Sequence, residues 1–368
     1  MKERIERLGE PLRQIYSEMQ GDLLEAIVKR LAGDHDLLEN EEFMEWHFRK
    51  LNQLDGLNRE TVRIIARRAG IAEKALIEAL RRAGFEAIKD NEDFLRDAHD
   101  RGAPITPPPP PEVDPTITDI LDAYQRQART QTNLVNSKLL EQVGQTYRDV
   151  VNRITADMLA GLRSPQDAIR ATVRQLARKG LIALVDSRGR NWTLEGYVGM
   201  VIRTMSTKIA NEMQEARFDE WGVDLVEVSS HLGARPLCAP YQGRIYSRTG
   251  RTPGYPNLYT DTSYGEPAGL FGINCRHVQY PYFPGISRRT YKPYPAEENA
   301  RAYKLQQAQR RYERGVRAAK MEQRLLSQLG DTEGAKQAAQ KVRQRQERLR
   351  HFVNENDLTR RYDREQIY

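Results

Sequence analysis

Residues 229–285 read SSHLGARPLCAPYQGRIYSRTGRTPGYPNLYTDTSYGEPAGLFGINCRHVQYPYFPG, and no long helix or strand can be threaded through them. Glycine loses the most entropy when ordered and proline lacks an amide N–H, so their recurrence every few residues interrupts helix and ladder alike. Both cysteines of the chain, Cys238 and Cys275, fall in this stretch with two of its six histidines, His231 and His277. The sequence on either side repeats apolar residues at helical spacing. Such a chain is predicted to be mainly α, with a small α+β, loop-rich module. An elongated helical body precedes the module and a basic helical C-terminal arm follows it.

The flanks set the expected divisions. Residues 1–103 read as an N-terminal helical domain. One helix carries Ile15, Met19, Leu23, Ile27 and Leu31; others are expected at about 41–53, 59–83 (capped by Asn58, stopped by Gly84) and 91–101. Residues 104–115, PITPPPPPEVDP, form a linker, because consecutive prolines enforce a semi-rigid polyproline spacer. Asp114 followed by Pro115 is a cap and first-turn proline, opening a long-helix domain over 116–222. Within it the polar run 125–136 suggests a solvent-bridging section or a kink, Ser164-Pro165 starts a second helix, 184–194 reads as a hairpin turning at Arg188-Gly189, and Thr193 caps a third helix. At Val223 the period becomes extended, giving strands at 223–230 and 243–247 within the module 223–285. Residues 286–368 form the arm, with helices expected at about 296–328 and, after Asp331, to about 352.

Charge is concentrated in that arm. Residues 301–350 hold 14 Lys and Arg against 5 Asp and Glu, so a chain of net charge +7 is slightly acidic elsewhere. Arg310, Arg311, Arg314, Arg317, Lys320, Arg324, Lys341, Arg343, Arg345, Arg348 and Arg350 are therefore the candidate contacts to double-stranded DNA, read without sequence specificity. Mean hydropathy is −0.73, and no apolar run approaches the ~18 residues needed for a membrane span. MKERIERLGEPL has no apolar h-region, so no secretory leader is expected.

The module carries the candidate chemistry. His231, Cys238, Cys275 and His277 match the tetrahedral N/S demand of structural zinc, although their spacing is not that of a standard finger. The same groups could instead be packed and hydrogen-bonded, or the two cysteines could form a disulfide. A Cys275–His277 nucleophile–base pair is the enzymatic alternative, acting on nucleic acid or cell wall. No G-x-S-x-G, P-loop or H-E-x-x-H accompanies it, and a non-enzymatic role is expected. Arg235, Arg244, Arg248, Arg251 and Arg276 alternate with Tyr241, Tyr246, Tyr255 and Tyr259, a pattern suited either to phosphate contact with stacking or to plain packing.

The combination H-x-G-A-R-P-x-C (231–238), Q-G (242–243) and G-x-N-C-R-H (272–277), with Y-P-N-L at 255–258, Y-G at 264–265 and W-T-L-E-G-Y-V at 192–198, resembles the phage minor capsid protein 2 family, relatives of the Mu-type head-morphogenesis proteins. The likeness spans about 110–290, and its motif residues here are Gly233, Arg235, Gln242, Gly243, Asn274 and Arg276. It implies a virion component present in several copies inside the phage head, assembled in the host cytoplasm. It further implies binding to the portal protein, contact with major capsid or scaffolding protein, and a role in head assembly and genome packaging or delivery. Mu-type relatives carry a larger cysteine set, and His277 stands where theirs ends in cysteine. A nucleic-acid-binding protein outside the virion is the remaining alternative. If the arm is the DNA contact, deleting 296–368 should abolish salt-sensitive binding.

Overall fold

A computed structural model of the chain describes residues 7–185, 189 and 191–368. Helix α1 is Glu10–Leu31, α2 His35–Glu39, α3 Phe43–Asn52, α4 Leu54–Asp100, α5 Pro115–Leu159, α6 Pro165–Lys179, α7 Leu194–Trp221, α8 Ala296–Leu329 and α9 Thr332–Glu355. The strands are β1 Ile182–Val185, β2 Asn191–Thr193, β3 Leu225–Val228, β4 Ile245–Ser247 and β5 Gln279–Pro281. The protein is mainly α with a small α+β module. Among the described residues no helix is long and apolar enough to cross a membrane.

Local signals place four of the helix starts. The α5 amide of Thr116 donates to the Asp114 carboxylate at 2.8 Å. Asp167 N donates to Ser164 Oγ at the start of α6, and Gly196 N to Thr193 Oγ1 at the start of α7. Gly334 N donates to Asp331 Oδ1 at 2.9 Å at the start of α9. Each cap satisfies an amide that the first helical turn leaves without a partner.

Two expected breaks are absent. Helix α4 runs unbroken through Asn58 and Gly84. Gly84 is a contact glycine rather than a stop: a Cβ there would lie 2.2 Å from Met213 Sδ, so the bare backbone is what admits α7. Helix α5 likewise passes through the polar run without interruption, with Ala128, Thr132 and Val135 buried along it. The expected hairpin is present as the antiparallel β1–β2 pair, Ile182 opposite Thr193. Its turn at Arg188 lies outside the described residues.

The chain forms two compact units that are not collinear with the sequence. One comprises Glu73–Gln131, Gly199–Gln306 and the described residues through Leu12. Its sheet has the order β4-β3-β5, all antiparallel, with Leu225 opposite Ser247 and Glu227 opposite Tyr280. All four β3 side chains are buried. The apolar cluster around them joins Leu95 and Ala98 of α4, Phe218 and Trp221 of α7, and Tyr246, Leu258, Leu270, Phe271 and Phe283 of the module. Ala103 and Ile105 belong to it too, which pins the segment leading into the prolines. Beside it, the buried Arg217 guanidinium donates to Glu92 at 2.6 Å, to Asp114 at 3.3 Å and to Glu220.

The other unit comprises Arg13–Ala72, Thr132–Val198 and Gln307–Tyr368. Tyr16, Met19, Leu23, Ile27, Trp46, Leu139, Val143 and Tyr147 are buried in it. Lys50, fully buried, closes the end of α1: its ammonium donates to the carbonyls of Ala32 and Gly33 and pairs with Asp34 at 2.8 Å. A cation there complements the negative pole of the helix. The α8–α9 hairpin packs Val316 against Leu349 and Val353.

Candidate metal centre

Three of the four proposed ligands meet. The donor atoms of Cys238, Cys275 and His277 all lie within 4.8 Å of one another, and all three residues are buried. Cys275 Sγ is 3.4 Å from His277 Nδ1. Neither cysteine is in a disulfide. His231 is not in that tight set; its ring stacks on His277, centroids 4.6 Å apart and planes 19° from parallel.

The family-like motif residues build this arrangement. His231–Cys238 is a turn in which the Cys238 and Ala239 amides both donate to the Arg235 carbonyl. Gly233 has φ +78°, and a Cβ there would lie 2.4 Å from Gln306 Nε2. Gly243 has φ +65°, with the Lys292 backbone carbonyl 2.4 Å from where its Cβ would be. Only glycine meets both demands at once. Arg235 ties the two cysteine loops together: its guanidinium donates to the carbonyls of Ile273 and Gly269 and reaches Cys238 Sγ at 3.5 Å.

On the second loop Phe271 and Asn274 adopt positive φ, 57° and 59°. That turn brings the Phe271 amide to 3.0 Å from Cys275 Sγ. Asn274 is held from α7, accepting from Arg203 Nε at 3.1 Å, while Thr207 donates to the Cys275 carbonyl. Arg276 is half-buried.

Gln242, fully buried, sets the histidine. Its Oε1 accepts from the His231 amide at 3.0 Å and lies 3.2 Å from His277 Nε2. A backbone N–H can only donate, so the oxygen end of the amide is fixed, and His277 Nε2 must carry the proton. His277 Nδ1 then presents a lone pair to Cys275. Electrostatics separate the two thiols. The Cys275 hydrogen bond and the Arg235 guanidinium pull Cys238 well below the usual thiol range. Burial pushes Cys275 up.

Sequence reasoning missed the residues that clamp the site from α8. Asn299 accepts from Ala234 N and donates to Ala234 O, both at 2.8 Å, and Gln306 donates to the Leu232 carbonyl. Nothing local marks them, since each is one polar residue on a polar helix. Of the Arg/Tyr series, Arg248 and Tyr246 are core groups: Arg248 donates to Val223 O and Asp219 and sits 5.6 Å over the Phe218 ring. Arg244 and Arg251 are exposed.

The candidate DNA contacts divide. Lys320 donates to Gln366, Arg317 to the Arg364 carbonyl, Arg345 to the Gly315 carbonyl, Lys341 to Glu322, and Arg324 to Glu25 and the Tyr368 carbonyl. Arg310 and Arg314 also have partners. Arg311, Arg343, Arg348 and Arg350 are exposed.

Comparison with known proteins places this framework. A family model described as phage minor capsid protein 2 matches residues 2–354. A protein named "Structural protein" from Lactococcus phage LL-H is 32% identical over 371 aligned residues, covering 97% of each chain. Another of that name, from Lactococcus phage mv4, is 43% identical over 116 residues, which is 31% of this chain and 94% of the relative. No solved structure matches. With its glycines, Arg235, Gln242 and Asn274 each holding the Cys/His loops in place, and a family match over almost its full length, the chain belongs to the phage minor capsid protein 2 family.

Proposed function

We propose that this minor capsid protein is an internal component of the phage head that docks on the portal vertex and touches packaged DNA. The observation that carries the DNA part is the surface of the α8–α9 hairpin, where Arg311, Arg343, Arg348 and Arg350 remain exposed. Guanidinium groups spaced along helices neutralise phosphates without reading bases, which suits a packaged genome of any sequence. The portal part rests on family membership. A holding role rather than a reacting one is supported by burial: Cys275 is 2% and His277 1% exposed, so no substrate reaches the pair as it stands.

Deleting residues 296–368 is a poor test, because it removes Asn299 and Gln306, which clamp the module. Point substitution is cleaner. The full chain is co-expressed with the phage's portal protein, and DNA binding is titrated against salt. Co-purification with the portal at fixed stoichiometry is expected, with DNA affinity falling steeply as salt rises. A chain that never associates with portal, and whose DNA affinity ignores salt, would remove the proposal.

A further inference from the structure

We infer that Cys238, Cys275 and His277 bind a zinc ion through Sγ, Sγ and Nδ1, with His231 supplying the fourth donor. Two sulfurs and two imidazoles favour zinc over the hard cations, which take oxygen. A tetrahedral zinc with Zn–S of about 2.3 Å and Zn–N of about 2.0 Å separates its sulfurs by about 3.8 Å and sulfur from nitrogen by about 3.5 Å. The three donor atoms already lie within 4.8 Å of one another, with Cys275 Sγ and His277 Nδ1 at 3.4 Å. Closing on an ion therefore takes adjustments of about 1 Å or less.

Three further features are those a metal site needs. His277 donates its remote N–H to an acceptor, Gln242 Oε1, whose orientation the His231 amide fixes. Metal-bound histidines are held in this way, and it leaves the Nδ1 lone pair directed at the sulfurs. Each sulfur has a positive partner: the Arg235 guanidinium at 3.5 Å from Cys238, and the Phe271 amide at 3.0 Å from Cys275. Such donors offset the negative charge that two thiolates bring to a buried dication. Lastly, the His231 side chain is only partly buried, and its backbone amide stays anchored on Gln242 if the ring turns off the His277 face. A rotation of that side chain off the His277 face is what the fourth bond requires.

The structure also limits what the metal does. The cysteine loops share an apolar cluster with α4 and α7. The ion is therefore a local staple that orders the 231–238 and 269–277 loops, and the rest of the fold stands without it.

The test uses the full chain. Zinc is measured by elemental analysis on purified wild type, C238S/C275S, H277Q and H231Q, each with its helical circular dichroism verified, and cobalt is exchanged into each. Expected are about one zinc per wild-type chain, the visible bands of a tetrahedral thiolate site in the cobalt form, and loss of both in C238S/C275S and H277Q with helicity retained. H231Q should hold zinc about tenfold more weakly or worse. A folded wild-type chain that contains no zinc, takes up none when it is added and shows two titratable thiols overturns the site. So does zinc that persists in C238S/C275S. H231Q binding as tightly as wild type overturns the assignment of the fourth donor.

Discussion

The cysteine–histidine module and the α8–α9 hairpin are both conspicuous in the sequence, one for its motif and the other for its charge, and the structure treats the two signals differently. In the module nearly every motif residue has one identifiable task. Gly233 turns the chain at positive φ beside the Gln306 amide, Gly243 admits the Lys292 backbone, Arg235 joins two loops, Gln242 fixes a tautomer and Asn274 anchors a turn. In the hairpin the basic residues share a charge but not a task. Some are internal struts, as Arg324 is to Glu25 and Lys341 to Glu322, and others face solvent. A motif specifies geometry because its members satisfy different constraints at once. A charge count specifies only a potential, and says nothing of which charges are already committed.

The comparison breaks most sharply at Gly243. Gly243→Ala forces a Cβ into the Lys292 backbone at positive φ, and neither backbone segment can yield. We expect a loss of about 4 kcal/mol, read as a downward shift of the first unfolding transition in urea. A loss below about 1 kcal/mol would mean that the module has slack the structure does not show. Asp224 comes next. Burial raises its carboxyl, but the Thr252 hydroxyl, the Thr249 amide and the Ser247 hydroxyl outweigh that and hold it at about 2. A depressed folded pKa gives stability that is full above the ordinary carboxylate range and lost as pH falls from about 4 towards 2. With partial screening this is worth about 1–2 kcal/mol. Asp224→Asn should flatten the acid limb of stability against pH by that amount. An unchanged limb would show that the loop from Ser247 to Thr252 is held by its backbone alone.

How much can be read from sequence follows from the same contrast. Caps are local, so Asp114, Ser164, Thr193 and Asp331 mark their helix starts correctly. The change of period at Val223 gives β3, Leu-Val-Glu-Val, which is buried on both faces, with the Glu227 carboxylate accepting from the Thr290 and Tyr291 amides. β5 escapes a sequence reading because it is three residues long and ends in Pro281; proline is tolerated there only because β5 is an edge strand. Gly84 reads as a stop because its reason to be glycine is Met213, 129 positions away in the chain. Cys238, Cys275 and His277, whose donor atoms the structure brings together, are singled out by their chemistry alone. Asn299 and Gln306 are not, since their partners are backbone atoms of a distant turn.

Within the hairpin, substitution separates the struts from the surface. Arg324 donates to Glu25 at 2.6 Å and to the Tyr368 carbonyl at 2.8 Å, with its side chain 27% exposed. Arg324→Ala should cost about 1 kcal/mol by thermal or urea denaturation and leave the salt dependence of DNA binding as it was. No loss of stability would demote the residue to the solvated class.

The smallest effect on folding should be the largest on DNA. Replacing Arg311, Arg343, Arg348 and Arg350 by Gln touches exposed positions only, so each change should stay within about 0.5 kcal/mol of wild type. Each phosphate that is no longer neutralised should reduce the slope of log affinity against log salt by about 0.9. If all four guanidiniums meet DNA, the slope falls by about 3–4 while the melting temperature holds. The opposite outcome, a slope that tracks Arg324 and Lys341 but not these four, would require the hairpin to open before it binds. Opening would release the carboxylates of Glu25 and Glu322 as well, and those repel phosphate. Exposed arginines need no such rearrangement, and on that ground the intact hairpin surface is the one to test.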